Sequence, residues 1–226
     1  MRVAVIIPCR GHGAFLGEAL AGVIGQSTNH DVIPVVVCDA DDDAFSICQS
    51  VGVRAINLVS HSGVYVALNT GIAECGGYDW VTFCGADDVF DACRIESLLG
   101  APDVTWRSVL NSPHVKIGPT GDHLEASDEA LGGVFMYHRQ MMERLGGFRP
   151  WPCSADTDLY RRAMGAGGKR QIVSESTYFY RQHGNQLTHK GDTGFGSPVR
   201  RAFEARMADG VRYINPTTAE VKERTL

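Results

Sequence analysis

Short apolar runs alternate with helix-spaced apolar stripes through the first hundred residues. Val3–Ile7 is a run of branched residues closed by Pro8, the signature of a buried strand. Phe15, Leu16, Ala19, Leu20, Val23 and Ile24 then recur at helical spacing. Val32–Cys38 predicts a second strand, and Asp43 is placed to cap a helix whose apolar face is Ala44, Ile47, Cys48 and Val51. Arg54–Val59 predicts a third strand, the stripe from Val64 to Cys75 a third helix, and Trp80–Cys84 a fourth strand. This β-α-β-α-β-α-β order predicts an α/β fold with a parallel sheet and right-handed crossovers. Ligands on such sheets bind beyond the carboxyl ends of the strands. The residues just after each strand are therefore the ones to inspect.

After Leu99 the pattern loosens. Residues 100–130 carry Pro102, Pro113, Gly118, Pro119 and Gly121 and predict loops with short edge strands. Gly133–Tyr137 predicts a strand, and His138–Leu145 a helix ended by Gly146-Gly147. Asp156–Ala166 predicts another helix, Ile172–Tyr180 two strand pieces split near Glu175, and Pro198–Ala208 a last helix. The polar tail from Asn215 onward is expected to be loose. With no internal repeat and no linker, residues 1–226 read as one domain. Residues 1–99 would form a nucleotide-type half, 100–197 an irregular second half, and 198–226 a helix and tail.

Composition narrows the class. Of 226 residues, 44% are apolar and 21% charged, ordinary for a globular chain that needs no staple to hold its core. The seven cysteines are scattered without a CxxC pair, which argues against a zinc site or disulfide framework and for a reducing cytoplasm. Twenty-one basic against twenty-six acidic residues leave a net charge of −5, the wrong sign for a nucleic-acid partner. The run Val3–Ile7 is too short for a signal peptide, and no stretch reaches the ~20 apolar residues of a membrane span. The expectation is a soluble protein.

The strand ends hold the candidate chemistry. The first delivers Pro8-Cys9-Arg10, the second Asp39 with Asp41, Asp42 and Asp43, the third His61-Ser62-Gly63, and the fourth Gly85-Ala86-Asp87-Asp88. Acidic clusters on neighbouring strand ends repel by roughly 1–4 kcal/mol per close pair, a cost that a bound cation offsets. Asp87-Asp88 offers hard oxygen ligands of the kind Mg²⁺ or Mn²⁺ accepts. The plainer alternative is a solvated Asp-rich turn with helix caps, and on these residues alone both readings stand.

The order of motifs resembles that of the family 2 glycosyltransferases, with their GT-A fold, from about Arg2 to Thr188. The segments that carry the resemblance are VAVIIPCRG, VIGQS, VVVCDADDD, HSGVYVALNTG, GADD, GGVFMYHRQMMERLGGF, SADTDLYRRA and YRQHGNQLT. It implies an inverting, metal-dependent transfer of a sugar from a nucleoside-diphosphate sugar, with UDP-hexose expected, to a hydroxyl on a glycan or other acceptor. Asp39 would accept a hydrogen bond from the base or ribose. Asp87 would hold the metal, Asp88 would support the metal or the ribose, and His183 would be a third protein ligand. An imidazole among oxygens tilts the preference from Mg²⁺ toward Mn²⁺. Pro8, Gly63 and Asn69 belong to the donor-binding motifs, and Arg10 or Arg181 would add positive charge near the phosphates.

Asp156 matches the family's catalytic base, worth typically 10²–10⁴-fold; as a helix starts there, the alternative is an N-cap. Asp158 reads as structural, and Trp151 as either a sugar-stacking or a packing residue. His61, in place of the family's usual Asn, is a candidate donor contact, and His189 a candidate gate. His12, His30, His114, His123 and His138 read as surface or loop residues. Three further positions depart from the family pattern: Cys38 and Gly85 stand where acids are usual, and Ala155 replaces a Glu. The alternative is a binding module that holds a nucleotide sugar without turnover.

Overall fold

The computed structural model of the chain describes residues 1–189, 191, 193–208 and 217–225. Its first half follows the alternation in the sequence: β1 (Arg2–Cys9), α1 (Gly13–Ile24), β2 (Asp31–Cys38), α2 (Asp42–Ser50), β3 (Ala55–Leu58), α3 (Val64–Cys75) and β4 (Trp80–Phe83). After them come β5 (Val89–Phe90), α4 (Arg94–Leu99), β6 (Ser108–Asn111), β7 (His114–Ile117), β8 (His123–Ser127) and β9 (Met136–His138). The chain continues through α5 (Arg139–Leu145), α6 (Ala155–Gly165), β10 (Lys169–Ile172), β11 (Tyr178–Arg181), α7 (Pro198–Ala208) and β12 (Val221–Arg224).

Eight strands form one mostly parallel sheet in the order β10-β6-β9-β4-β1-β2-β3-β12. Within it β1 pairs in parallel with both β2 and β4, and β9 and β12 run antiparallel to their neighbours. Successive side chains of a strand point to opposite faces, and both faces are covered. Val3, Val5 and Ile7 pack with α1 and α2 residues such as Leu16, Leu20 and Phe45. Ala4 and Ile6 pack with Ala67 and Leu68 of α3 and Leu159 of α6. The approach of α3 is close enough that a Cβ at Gly71 would lie 2.9 Å from Val37 Cγ2, so only glycine fits there.

Because α1 and α2 step the chain away from β1 while α3 carries it back to β1's other side, the strand order reverses between β1 and β4. That reversal opens a crevice at the carboxyl ends of these two strands. A second sheet, β5-β11-β7-β8, stands beside it. The buried Arg94 links the two sheets. Its guanidinium lies between the Phe90 and Tyr178 rings and donates to Asn111 Oδ1, Ser112 Oγ and the Val134 carbonyl.

Four expectations are corrected. β6 is a buried inner strand rather than an edge, flanked by β9 and β10. Asp41, not Asp43, caps α2, accepting from the Ala44 N–H, and Val51 is exposed. Asp156 lies inside the first turn of α6, after Ser154 at the cap position, so it is not the N-cap. The tail is not loose throughout, since β12 pairs with β3; Asn215 itself lies outside the described residues. No helix among the described residues is long and apolar enough to cross a membrane.

Asn69, expected at the donor, is buried in α3, where its amide donates to the Phe148 carbonyl at 2.8 Å and accepts from the Phe148 N–H at 2.9 Å. It also donates to the Thr217 carbonyl. This bracing tethers the segment leading to α6. Asn69→Ala would orphan buried backbone groups at about 1–3 kcal/mol each. Urea unfolding should register a loss of about 2–4 kcal/mol; an unchanged midpoint would contradict this role.

Candidate active site

A cleft of about 750 Å³ opens at the carboxyl ends of β1, β2 and β3, lined by Pro8, Arg10, His12, Asp39, His61 and Trp151 among others. A cavity of about 410 Å³ shares Pro8 and Tyr65 with it and continues to Gly85, Asp88, Gly132 and Asp156. The chemistry-bearing strand ends therefore face one connected space.

The acidic run after β2 organises its rim. Ala40 adopts a left-handed backbone (φ 54°), costing an alanine about 1–2 kcal/mol. On either side of it the two carboxylates reach different neighbours. Asp39, almost fully buried, accepts from the Ser62 N–H at 2.7 Å and the Gly63 N–H at 3.0 Å, and its Oδ2 lies 2.7 Å from His61 Nδ1. Asp41 accepts from the Gly11 N–H at 2.7 Å as well as capping α2. One run thus fixes the loops after both β1 and β3. Gly63 can serve because its φ of 89° needs no Cβ. Arg10 donates to the Asp39 carbonyl at 2.6 Å and stays exposed on the cleft wall.

The turn after β4 separates its two acids. Asp87 Oδ2 meets His183 Nε2 at 2.8 Å and His12 Nδ1 at 3.7 Å. The three donor atoms lie within 4.8 Å of one another, a carboxylate oxygen and two imidazole nitrogens that fit a divalent cation. Asp88, expected beside the metal, faces inward instead. It accepts from the Tyr178 hydroxyl at 2.6 Å and the Arg181 N–H at 2.9 Å. Burial, reinforced by the Asp87 charge, pushes its carboxyl up to about 8. Gly85 leaves room for this packing, since a Cβ there would lie 2.8 Å from Asp87 Oδ1 and closer still to Asp88 Oδ2.

Arg181, expected near the phosphates, is also directed inward. It is fully buried, donating to the carbonyls of Asp87, Gly118 and Pro119 and to Glu18 at 2.6 Å, and stacking over Phe15. Its positive charge is committed to the scaffold that holds Asp87.

Asp156 Oδ1 accepts from the Tyr65 hydroxyl at 2.9 Å, across from α3 to α6. Oδ2 faces Gly132, where a Cβ would approach to 2.9 Å. The Tyr65 phenol is driven well above its ordinary range by burial and by this carboxylate, so it stays a hydrogen-bond donor. Asp158 pairs with Arg149 and Arg162 inside the protein, a structural arrangement. Trp151 lines the cleft and also packs edge-on against Phe203. Burial pushes the Cys9 thiol up to about 12, so no thiolate is available there. The His189 ring lies 3.2 Å from the His183 carbonyl.

Three residues depart from their sequence reading. His12 belongs to the cleft rather than the surface, and the one available signal was its place just after β1. Tyr65 was read only as part of a motif; its contact with Asp156 spans 91 residues and leaves no local pattern. His114, read as a surface residue, is buried against the Glu129 carbonyl.

The sequence model described as Glycosyl transferase family 2 matches residues 4–175. No curated protein matches the chain. Among solved structures, that of Staphylococcus aureus TarS residues 1–349 in complex with UDP superposes with a TM-score of 0.68 at 16% identity, covering 81% of this chain and 61% of that one. A second S. aureus TarS structure gives a TM-score of 0.61 at 14% identity, covering 83% and 38% respectively. The chain thus spans less than two thirds of either TarS chain, and the likeness is one of fold, the GT-A fold that the motif order implies.

If Asp39 holds the loop after β3, Asp39→Asn should substitute a donor for an acceptor facing two N–H groups. Hydrogen exchange at residues 61–63 should accelerate while β1 amides stay protected; unchanged exchange in the loop would remove Asp39 from this role.

Proposed function

The chain belongs to glycosyl transferase family 2, and from its cleft we propose that it transfers a sugar from a nucleoside-diphosphate sugar to an acceptor hydroxyl, with inversion at the anomeric carbon. The observation that carries this reading is the meeting of Asp87 and His183 at the β1/β4 crevice, beside a cavity that exposes an aimed carboxylate, Asp156. UDP is the nucleotide we assign, supported by its presence in the TarS complex. A hexose is the sugar we expect, and a glycan or other hydroxyl compound the acceptor. All seven cysteines are free, which suits a reducing cytoplasm.

Each group has a task in this reading. The nucleotide lies in the larger cleft, against Pro8, the loop 61–63 held by Asp39, and Arg10, whose exposed guanidinium edge faces anionic groups. Gly63 opens α3, whose first turn has no side-chain cap among the described residues and lines the same cleft. Asp87 and His183 would hold a divalent ion, Mn²⁺ in preference to Mg²⁺, which supplies charge stabilisation to the departing diphosphate. Asp156 takes the acceptor's proton on Oδ2 as the acceptor oxygen bonds to the anomeric carbon and the bond to the diphosphate breaks on the opposite face. Tyr65 fixes the other oxygen, so the carboxylate presents one lone pair to the cavity. Asp88, Asn69 and Arg181 act one step back, holding the elements that carry these groups.

Two variants test the assignment of the base. Asp156→Asn keeps the hydrogen bond to Tyr65 but removes the proton acceptor. Its transfer rate should fall by roughly 10²–10⁴-fold while UDP affinity by calorimetry stays within about threefold; retained turnover would eliminate Asp156 as base. Tyr65→Phe should lower kcat by about tenfold, the worth of one hydrogen bond to a charged group, with little change in donor KM. Should the wild-type chain bind UDP yet turn over no UDP-sugar with Mn²⁺ present, the binding-module alternative replaces this proposal.

A further inference from the structure

His12 does more than line the cleft. It lies in the short loop after β1 and occupies the residue before α1, where its carbonyl accepts from the Phe15 and Leu16 N–H groups and fixes the backbone. Its side chain is 18% exposed and caps nothing. Among the described residues neither ring nitrogen makes a hydrogen bond, and Nδ1 stands 3.7 Å from Asp87 Oδ2, too far for one. The His12 and His183 rings meet edge-on at 5.2 Å, and Phe15, one turn into α1, packs on His183 at 5.0 Å. A largely buried, unpaired imidazole aimed at a carboxylate that already holds a second imidazole calls for a common partner.

We infer that His12 is a protein ligand of the divalent ion, through Nδ1, completing a set of one carboxylate and two imidazoles with Asp87 and His183. Donor atoms 2.8 and 3.7 Å from the shared oxygen, all within 4.8 Å, match the separations of ligands around one transition-metal ion. Two consequences follow from the donor chemistry. Nitrogen ligands disfavour Mg²⁺, which prefers oxygen and keeps its water, so the site selects Mn²⁺ and later first-row ions. Three protein ligands also allow the ion to bind before the nucleotide, whose phosphates then take open positions. The inference uses the cleft of the proposed transferase but does not depend on turnover.

The test is Mn²⁺ binding to the full chain without nucleotide, by calorimetry and by pulsed EPR, with Mg²⁺ as competitor. Wild-type protein should bind one Mn²⁺, show nitrogen couplings from two imidazoles, and release little of it to a tenfold excess of Mg²⁺. His12→Ala should weaken Mn²⁺ binding at least about tenfold and leave one imidazole coupling. His12→Gln, which preserves bulk, should behave alike, and circular dichroism should report unchanged folding in both, since the side chain caps nothing. A single imidazole in the wild type, equal Mn²⁺ affinity in wild type and variants, or no Mn²⁺ bound at millimolar concentration would each overturn the inference. Mn²⁺ held through His12 by a chain that transfers no sugar would leave it standing and defeat the transferase reading.

Discussion

The two aspartates after β4 face opposite ways, and the site is built on that division. Asp88 points inward and clamps β11, accepting from the Tyr178 hydroxyl and the Arg181 N–H. Two residues beyond Arg181 on the same strand end stands His183, which that clamp brings to Asp87 at 2.8 Å. Arg181 completes the link from the other side by donating to the Asp87 carbonyl. A buried ionised acid is costly here; burial and the neighbouring Asp87 charge push the Asp88 carboxyl up to about 8, and both its oxygens accept hydrogen bonds. Gly85 belongs to the same device, for a side chain at that position would collide with both carboxyl groups.

The remaining acids follow the same logic of distributing charge among separate partners. Asp39 holds the loop after β3 and Asp41 the loop after β1, while Asp42 at the surface is drawn below the usual carboxylate range by Lys222 of β12 and by Asn57. Asp156 lines the smaller cavity, and Asp87 faces the imidazoles of His12 and His183 beside it. Their environments differ, one among imidazoles and one held by a phenol, as the proposed roles of ligand and base require.

The first half of the fold was legible because its strands are buried on both faces and so read as unbroken apolar runs, while its helices show a clear 3.6 period. The second half hid β6 because SVLN is short and sits among prolines, and hid β12 because VKER is polar and pairs at an edge of the sheet. In the site, residues attached to strand ends were legible by position. What side chains do there was less so: local sequence gives neither the inward turn of Asp88 nor the burial of Arg181, which both arise from β11 packing some ninety residues away. The pairing of Tyr65 with Asp156 and the approach of His12 to Asp87 are likewise tertiary contacts without a sequence period.

In the proposed site Asp87 and His183 share one divalent ion at the reversal between β1 and β4. Anomalous diffraction at the manganese edge, from crystals grown with Mn²⁺ and UDP, tests it most directly. A single strong peak within bonding distance of both Asp87 Oδ2 and His183 Nε2, next to the diphosphate, is the expected result. Ordered UDP in the cleft with no peak at that position, and Asp87 still bonded directly to His183, would contradict it.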